Sequence, residues 1–443
     1  MPDSISLSFA LMTVDCASME IALSDGIGFV IHTLCWSMSL WLAPILDIIF
    51  MQAKSNTGNV IRLAAAQALS MTTMNVNIIN TALVGSLLSP LPWLATLGLS
   101  LQFVTSMLTT LPASLLMVRF GRRPVFMGGV MIAAASALTQ GIAILISNFW
   151  LFCVASMFLG VAHGCAGFYR YAAADSAEES QKPKAISYVL AGGLLAAFMG
   201  PEIARNAVDF VPGHLYAGCF FSVAAVQLVS LGFLSGVKIP KPERTGSGGR
   251  PIGRFFKMPI FVVGVISAAI GYAMMSYMMT ATPLQVVNVA KLGTSANATI
   301  IQWHVVAMFA PAFFTGNLIA RFGAPVILTS GVLIYLAAIA SALLGDGFWW
   351  YFVALACMGL GWNFLYIGGS SLVASVANPE ERGRVQGIAD LVTTTSVATA
   401  SLAAGALHSQ FGWEVMVLSA LGPVMIIAMA LAWLGMVRRP NHA

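Results

Sequence analysis

Two copies of one short motif, "SLLMVRFGRRP" at residues 114–124 and "GNLIARFGAP" at residues 316–325, decide how this chain is organised. Each copy contains Arg-Phe-Gly, ends in proline and lies between long apolar runs. Glycine and proline together mark turns. A turn motif that returns some two hundred residues later, in the same apolar setting, indicates that the chain contains an internal repeat.

The composition predicts that lipid surrounds most of the chain. Of the 443 residues, 58% are hydrophobic and 8% are charged, and the mean hydropathy is +0.87. Soluble domains are roughly a quarter charged, so this chain could not cover its surface with polar groups. The formal net charge of +5 therefore indicates no nucleic-acid partner, and we expect a lipid bilayer around the protein.

Apolar runs recur at the length of a bilayer-crossing helix, which is roughly 20 residues. They predict an all-α integral membrane protein with twelve transmembrane helices, arranged as two six-helix repeats. Turn sequences such as "SPLP" and "GDG" separate the runs. The predicted spans are residues 63–88, 93–118, 124–147, 149–174, 185–209, 215–236, 257–281, 297–320, 324–345, 347–374, 385–409 and 413–437.

The basic residues give the predicted orientation. Most of the 21 Lys and Arg residues lie on alternate connections, which share one side of the membrane. Short loops rich in Lys and Arg stay in the cytoplasm. We therefore expect a multi-pass protein of the bacterial inner membrane with its C-terminus in the cytoplasm.

The longest basic stretch divides the predicted spans into six and six. It is "VKIPKPERTGSGGRPIGRFFKM", and we interpret residues 237–256 as a cytoplasmic linker between halves at 51–236 and 257–443. Residues 1–50 are an N-terminal extension without Lys or Arg. They form either an extra helix or a misassigned start before Met51, and we favour the second interpretation.

The first motif copy resembles the loop signature of the major facilitator superfamily, Gly-x-x-x-Asp-Arg-x-Gly-Arg-Arg. Ser114 and Val118 depart from the signature at its Gly and Asp, and Ala320 replaces the acid in the second copy. The resemblance implies alternating access between two six-helix halves, with this loop taking part in gating. The matching gating-loop residues are Arg119, Gly121, Arg122, Arg123, Arg321 and Gly323.

Polar side chains inside the spans are the candidate site residues, because such groups are costly in lipid. The resemblance implies that the first, fourth, seventh and tenth helices line a central cavity. The predicted substrate-binding residues are Asn75, His163, Tyr277, Trp362, Asn363 and Tyr366. Asparagines can instead join helices by hydrogen bonds, and a single histidine is more often a hydrogen-bonded packing residue.

Four charged side chains inside the spans have two possible roles, ion coupling or pairing between helices. They are Arg170, Glu202, Arg205 and Asp390. Glu202 and Arg205 are three residues apart and can pair along one helix. Arg170 and Asp390 lie near the predicted cytoplasmic ends of their spans, where long side chains can reach the interface.

The sequence contains no pattern typical of an enzyme. Its six cysteines and six histidines lack metal-ligand spacing, and no nucleotide loop or nucleophile motif occurs. We therefore expect no catalytic residues, no metal and no cofactor. An ion gradient, with a proton as the possible coupling ion, or the solute's own gradient must then drive transport, and we expect a monomer.

The substrate prediction depends on a narrower resemblance. "MGLGWNFLYIGGSS" at residues 358–371 is similar to a bacterial branch that includes alphaproteobacterial riboflavin permeases. We therefore expect a secondary active transporter of a small organic solute, with riboflavin uptake as the hypothesis. The alternative is a proton-coupled drug or metabolite efflux antiporter, because Gly200-Pro201 partly matches the signature of such exporters.

Overall fold

The computed structural model describes residues 57–177, 182–239, 250–378 and 381–438. These residues form helices and connecting turns, and this part of the chain contains no strand. The predicted all-α fold is thereby confirmed. The interpretation of residues 1–50 lies outside the described residues.

Twelve helical elements cover the predicted spans. Two of them, α4 and α8, are each built from two consecutive segments. They are α1 (Thr57–Leu88), α2 (Leu97–Phe120), α3 (Arg122–Leu145), α4 (Phe149–Ala166 and Tyr169–Asp175), α5 (Lys182–Asn206), α6 (Ala217–Ser235), α7 (Pro259–Pro283), α8 (Thr294–Phe309 and Ala312–Phe322), α9 (Ala324–Leu343), α10 (Phe348–Ser375), α11 (Arg382–Ser419) and α12 (Leu421–Arg438).

Length and hydropathy identify fewer membrane spans than the twelve predicted. Within the described residues, eight helical stretches are long and apolar enough, or nine when the two segments of α8, bent by 42°, count as one span. Part of the difference is at the predicted spans 385–409 and 413–437, which belong to one helical stretch in the structure. The break between them is at Gly412, a residue with non-helical backbone angles inside α11. Crossing of the bilayer by all twelve helices remains a prediction.

The two Arg-Phe-Gly turns have the same backbone geometry. Gly121 has φ 91° and ψ 165°, and Gly323 has φ 82° and ψ 151°. Side chains rarely tolerate this region, so both copies need glycine. The preceding arginine lies over the phenylalanine ring in both copies, 5.1 Å from the Phe120 centroid and 5.2 Å from the Phe322 centroid. The motif thus has one geometry in both repeats, and we call the side of the protein that carries it the RFG side.

The two ends of the predicted linker are each attached to a helix on the RFG side. Asn59 of α1 donates to the Lys238 carbonyl over 2.7 Å, and the Lys238 N–H donates back over 3.0 Å. Arg62 donates to the carbonyl of Gly236 over 2.6 Å. The chain that leaves α6 is therefore tied to α1 of the same predicted half.

The other end of the linker is held by one buried carboxylate. Arg250 donates to Glu381 from Nη2 over 2.7 Å and from its backbone N–H over 2.8 Å. The same guanidinium donates to the Val376 carbonyl over 2.7 Å, and Arg384 donates to the Arg250 carbonyl. Glu381, only 2% exposed, therefore joins the linker to the turn between α10 and α11.

Hydrogen bonds between the two predicted halves lie away from the RFG side. Among the described side chains, those that connect residues 59–239 with residues 250–438 are found from mid-depth to the opposite side, which we call the distal side. Near mid-depth, Thr395 contacts the Met107 sulfur at 3.1 Å. The distal bonds are Arg205 to Gln302 (2.9 Å), Ser100 to Ser401 (3.0 Å), Asn288 to Ser86 (3.0 Å), Arg205 to Thr299 (3.4 Å) and Asn297 to the Ile79 carbonyl (3.4 Å).

We expect Gly121→Ala and Gly323→Ala each to lower the free energy of unfolding by about 1–3 kcal/mol, because each places a Cβ in a glycine-only backbone region. Unfolding of the purified protein in detergent, followed by circular dichroism, measures the change. Gly316→Ala is the matched control, because it lies in α8 and a Cβ added there would meet no atom within 4 Å. Equal stability of all three variants would contradict the strain argument.

Acid should weaken the attachment of the linker through Glu381. The hydrogen bonds from the Arg250 side chain, then those from the backbone N–H groups of Arg250 and Asn378, lower the pKa of Glu381 from 4.5 to about 2. A carboxyl whose folded pKa is depressed stabilises the fold above its unfolded pKa, and this contribution is lost as the pH falls from 4.5 towards 2.

Glu381→Gln should therefore reduce stability at neutral pH and flatten the pH dependence between pH 4.5 and 2. Melting temperatures of the purified variant and the parent across this window test it. Glu414→Gln, at an exposed position, is the control. Parallel pH profiles for Glu381→Gln and the parent would refute the role of this carboxylate.

Candidate functional site

An aromatic cluster lies at mid-depth, where α7, α8 and α10 meet. The rings of Trp362 and Tyr366 are stacked, with centroids 5.2 Å apart and planes at 9°. Tyr272 meets both rings edge-on at 5.3 Å and 5.5 Å, and Phe309 lies 6.0 Å from Trp362. Residues 362 and 366 are one helical turn apart, so they share a face of α10. These four residues form what we call the aromatic cluster.

Two buried donors, one within the aromatic cluster and one on nearby Arg170, have no protein partner in the described structure. They are the indole Nε1–H of Trp362 and the Nε–H of Arg170, and both atoms are buried. Buried polar atoms are nearly always hydrogen-bonded, so an exception calls for an explanation. A bound solute that carries carbonyl oxygens or ring nitrogens would satisfy such donors.

Opposite charges from the two predicted halves lie near the aromatic cluster without direct contact: Arg170 of α4 and Asp390 of α11. Arg170 of α4 acts electrostatically on Asp390 of α11 and on the hydroxyls of Tyr272 and Tyr366. Its guanidinium lies 4.8 Å from the Tyr171 ring centroid and donates to the Tyr171 hydroxyl over 3.0 Å. Among the described side chains, Asp390 forms no ion pair within 4 Å, neither with Arg170 nor with Arg384.

Three predicted substrate-binding residues make hydrogen bonds between helices. Asn75 donates to the Ala196 carbonyl of α5 over 2.8 Å, and the Tyr277 hydroxyl lies 2.9 Å from the Ser419 hydroxyl. Asn363 is fully buried, donates to the Met308 carbonyl over 2.7 Å and accepts from Thr315 over 2.6 Å. A role for these three in solute binding remains a prediction.

Asn363 has a clear structural task at the break in α8. The helix stops at Phe309 and restarts at Ala312, with Pro311 between. The Met308 carbonyl therefore loses its partner on the helix, because the next turn is broken. The Asn363 side-chain amide takes the place of the missing backbone donor. The bend places Phe309 in the aromatic cluster, near Trp362.

His163 lines a different space, inside the helices of the first predicted half. This cavity, with a volume of about 10 Å³, has room for about one water molecule. Its polar lining consists of Ser70, Thr73, Gln102, His163, Tyr169 and Gln227. The structure thus separates His163 from the aromatic cluster, and its predicted contact with substrate is untested.

Glu202 and Arg205 form the expected pair along α5, at 3.0 Å. The sequence did not reveal that Arg205 also donates to Gln302 of α8, which makes this pair part of the distal contacts. Gly200 lies in the same helix, where a Cβ would approach the Asn75 Cβ to 2.5 Å. Close packing of α5 on α1 therefore accounts for the glycine of the Gly200-Pro201 motif.

The gating-loop residues lie at the RFG side, where α2 and α8 end and α3 and α9 begin. Arg122 is buried and pairs with Asp175 at the end of α4, at 2.5 Å. Arg119 and Arg123 are exposed. The pair between Arg122 and Asp175 joins α3 to α4, although the acidic residue of the family signature is absent from this loop.

Sequence reasoning did not place Tyr272 and Phe309 among the substrate-binding residues. Tyr272 is a polar aromatic inside a predicted span, which is a usable signal, but its orientation depends on how α7 packs. Phe309 gives no signal by itself, because phenylalanine is common in lipid-facing helices. Its position two residues before Pro311 is the one indication that it lies at a break.

Comparison with known proteins assigns the chain to a large group of transporters. A model of the Major Facilitator Superfamily matches residues 27–302 and 286–443. The riboflavin transporter RfnT of Brucella anthropi is 38% identical over 360 residues, which cover 80% of this chain and 90% of RfnT. The uncharacterised MFS-type transporter YddS of Bacillus subtilis is 26% identical over 336 residues, which cover 71% of this chain and 76% of YddS.

Solved structures share the fold at low identity. The nucleoside transporter NupG superposes with a TM-score of 0.66 at 13% identity, covering 86% of this chain and 99% of NupG. A bacterial homologue of the human lysosomal transporter Spinster, in an inward-facing and occupied conformation, gives a TM-score of 0.64 at 13% identity. That match covers 84% of this chain and 94% of the homologue.

We expect Asn363→Ala to lower the free energy of unfolding by about 1–3 kcal/mol, because it leaves the buried Met308 carbonyl without a partner. Chemical unfolding of the purified protein measures the loss. Ser396→Ala is the control, because its hydroxyl bonds only to the Val392 carbonyl on its own helix. If the two variants are equally stable, Asn363 does not hold the break in α8.

Proposed function

Because the chain belongs to the Major Facilitator Superfamily, we propose that it is a secondary active transporter that takes up riboflavin across the bacterial inner membrane. The observation that carries this proposal is the 38% identity to a riboflavin transporter over 90% of that transporter's length. Agreement over nearly the whole length covers both halves of a two-repeat transporter, where the solute site lies between the repeats.

The aromatic cluster suits the chemistry of a flavin. The isoalloxazine ring is planar, uncharged at neutral pH and edged with carbonyl oxygens. A planar ring can stack against Trp362, Tyr366 or Tyr272, and its carbonyls can accept from the Trp362 indole and from Arg170. Asp390 can accept from the imide N–H or from a ribityl hydroxyl, which are donors of the same molecule.

The contacts between the halves support delivery to the RFG side. The basic loops predict that this side is cytoplasmic. Hydrogen bonds between the halves close the distal side, including the bond from Arg205 to Gln302 and the one between Ser100 and Ser401. We interpret this arrangement as an inward-facing state, in which the solute leaves towards the cytoplasm. Alternating access then requires the distal bonds to break.

The first experiment is uptake of labelled riboflavin by a bacterium that can neither make nor import it. Expression of this chain should give saturable uptake. Trp362→Ala and Tyr366→Ala should each raise the KM about 5- to 150-fold, because stacking of one base-like ring on an aromatic side chain contributes roughly 1–3 kcal/mol.

Trp303→Ala is the matched control. Trp303 is also a tryptophan of the second predicted half, but it is 45% exposed and lies 6.3 Å from Phe352, outside the aromatic cluster. Its KM should equal that of the parent. No uptake by protein shown to be in the membrane would exclude riboflavin import. Gradient-driven extrusion of toxic compounds would then favour the efflux antiporter.

A further inference from the structure

A second cavity lies on the outside of the first predicted half, between α2 and α3. Its volume is about 550 Å³, within the range of sites for small molecules. Leu108, Pro112 and Leu116 of α2 line one side of the cavity, and Gly128 of α3, which has no side chain, lines the other. Val161 and Cys165 of α4 lie between them. We call this cavity the α2–α3 groove.

The α2–α3 groove faces the lipid and not the other half of the protein. Leu108 is 61% exposed and Leu116 is 45% exposed. Met107 contacts Thr395 of α11. On α2, Met107 lies about 180° around the helix axis from Leu116. A ligand in the groove therefore lies on the opposite face of α2 from the contact with the second half.

The groove is long. Its lining runs along α2 from Phe120, at the RFG side, to Thr105. At 1.5 Å per residue this is a length of about 22 Å, which reaches well into the hydrocarbon core. The lining is almost entirely apolar. The Thr105 hydroxyl lies within bonding distance of carbonyls of α2 and of the Met157 carbonyl of α4, and the Thr109 hydroxyl donates to a carbonyl of α2. Such a space suits a single extended hydrocarbon chain.

The mouth of the groove carries positive charge. Phe120 and Pro124 form its RFG-side end, and the exposed Arg119 and Arg123 are their chain neighbours. Arg119 lies over the Phe120 ring, so its charge stands at the entrance. Basic groups at this depth attract the phosphate of a lipid, and a second negative charge on the headgroup strengthens the attraction.

We propose that the α2–α3 groove is a binding site for an anionic phospholipid of the cytoplasmic leaflet. One acyl chain lies along Leu108, Pro112 and Leu116 beside Gly128, and the headgroup pairs with Arg119 and Arg123. The apolar length of the groove and the charge at its mouth together select this ligand. The site is separate from the aromatic cluster and does not depend on the identity of the transported solute.

Retention of defined lipids by the purified full-length chain tests the site. The protein is delipidated in detergent, mixed with dioleoyl phosphatidylglycerol or dioleoyl phosphatidylcholine, and examined by native mass spectrometry. The parent should prefer phosphatidylglycerol, with about a fivefold gain in binding for each arginine that the headgroup engages. Arg119→Gln with Arg123→Gln should remove the preference, whereas Arg321→Gln, the equivalent position of the second repeat, should keep it.

Variants that fill the groove distinguish binding of the acyl chain from a general attraction of the headgroup to positive charge. Gly128→Trp should abolish retention of both lipids, because the side chain would occupy the groove and a Cβ added at Gly128 would meet no atom within 4 Å. Gly316→Trp, at an equally open position of α8, is the control. Gly128→Leu is the milder variant if the tryptophan prevents folding, and circular dichroism verifies the fold of each.

Three results would overturn the proposal. One is equal retention of phosphatidylglycerol by the parent and by the folded Gly128 variants. Another is the absence of any preference for phosphatidylglycerol over phosphatidylcholine in the parent. The third is displacement of the lipid by inorganic phosphate alone, because it would show that the arginines bind an anion without the groove.

Discussion

Every backbone carbonyl inside a bilayer must find a donor within the protein, since lipid supplies none. The break in α8 shows how this requirement shapes the centre of the molecule. Pro311 interrupts the helix, and Asn363 of α10 donates to the Met308 carbonyl that the break leaves unpaired. Trp362 is adjacent to Asn363 on α10, so the helix that supplies the missing donor also places an indole at the same depth. The bend, the buried amide and the aromatic cluster are therefore one arrangement.

Polar groups within the helices fall into two classes, and the distinction locates the site better than polarity does. Asn75, Asn363 and Tyr277 each have a protein partner within hydrogen-bond distance. The Trp362 indole and the Arg170 Nε have none in the described structure. Because an unpaired buried donor costs free energy, its presence is more informative than that of a satisfied amide. The unpaired donors therefore favour the aromatic cluster and its neighbouring charges, and not the buried amides, as the candidate site.

The sequence predicted the elements well and their relative rotation poorly. Span length and turn residues indicated the helices, and the repeated Arg-Phe-Gly indicated two turns that share one backbone geometry at Gly121 and Gly323. Spacing along one helix predicted the pair of Glu202 and Arg205. Contacts between helices depend on which face each helix presents, and nearly uniform hydrophobicity leaves that face undetermined. For this reason Phe309 was not anticipated, and His163 lines a separate cavity.

One face of α2 contacts the second predicted half of the protein, and the opposite face lines the α2–α3 groove. On one face Met107 contacts Thr395 of α11 near mid-depth, and at the distal end Ser100 meets Ser401 of the same helix. The other face forms a wall of the α2–α3 groove. In the proposed alternating-access cycle, α2 and α11 would separate at the distal end, and the proposed acyl chain along α2 would move with that helix. If the groove differs in width between the two states, the lipid binds them with different free energies and by linkage shifts their equilibrium by that difference.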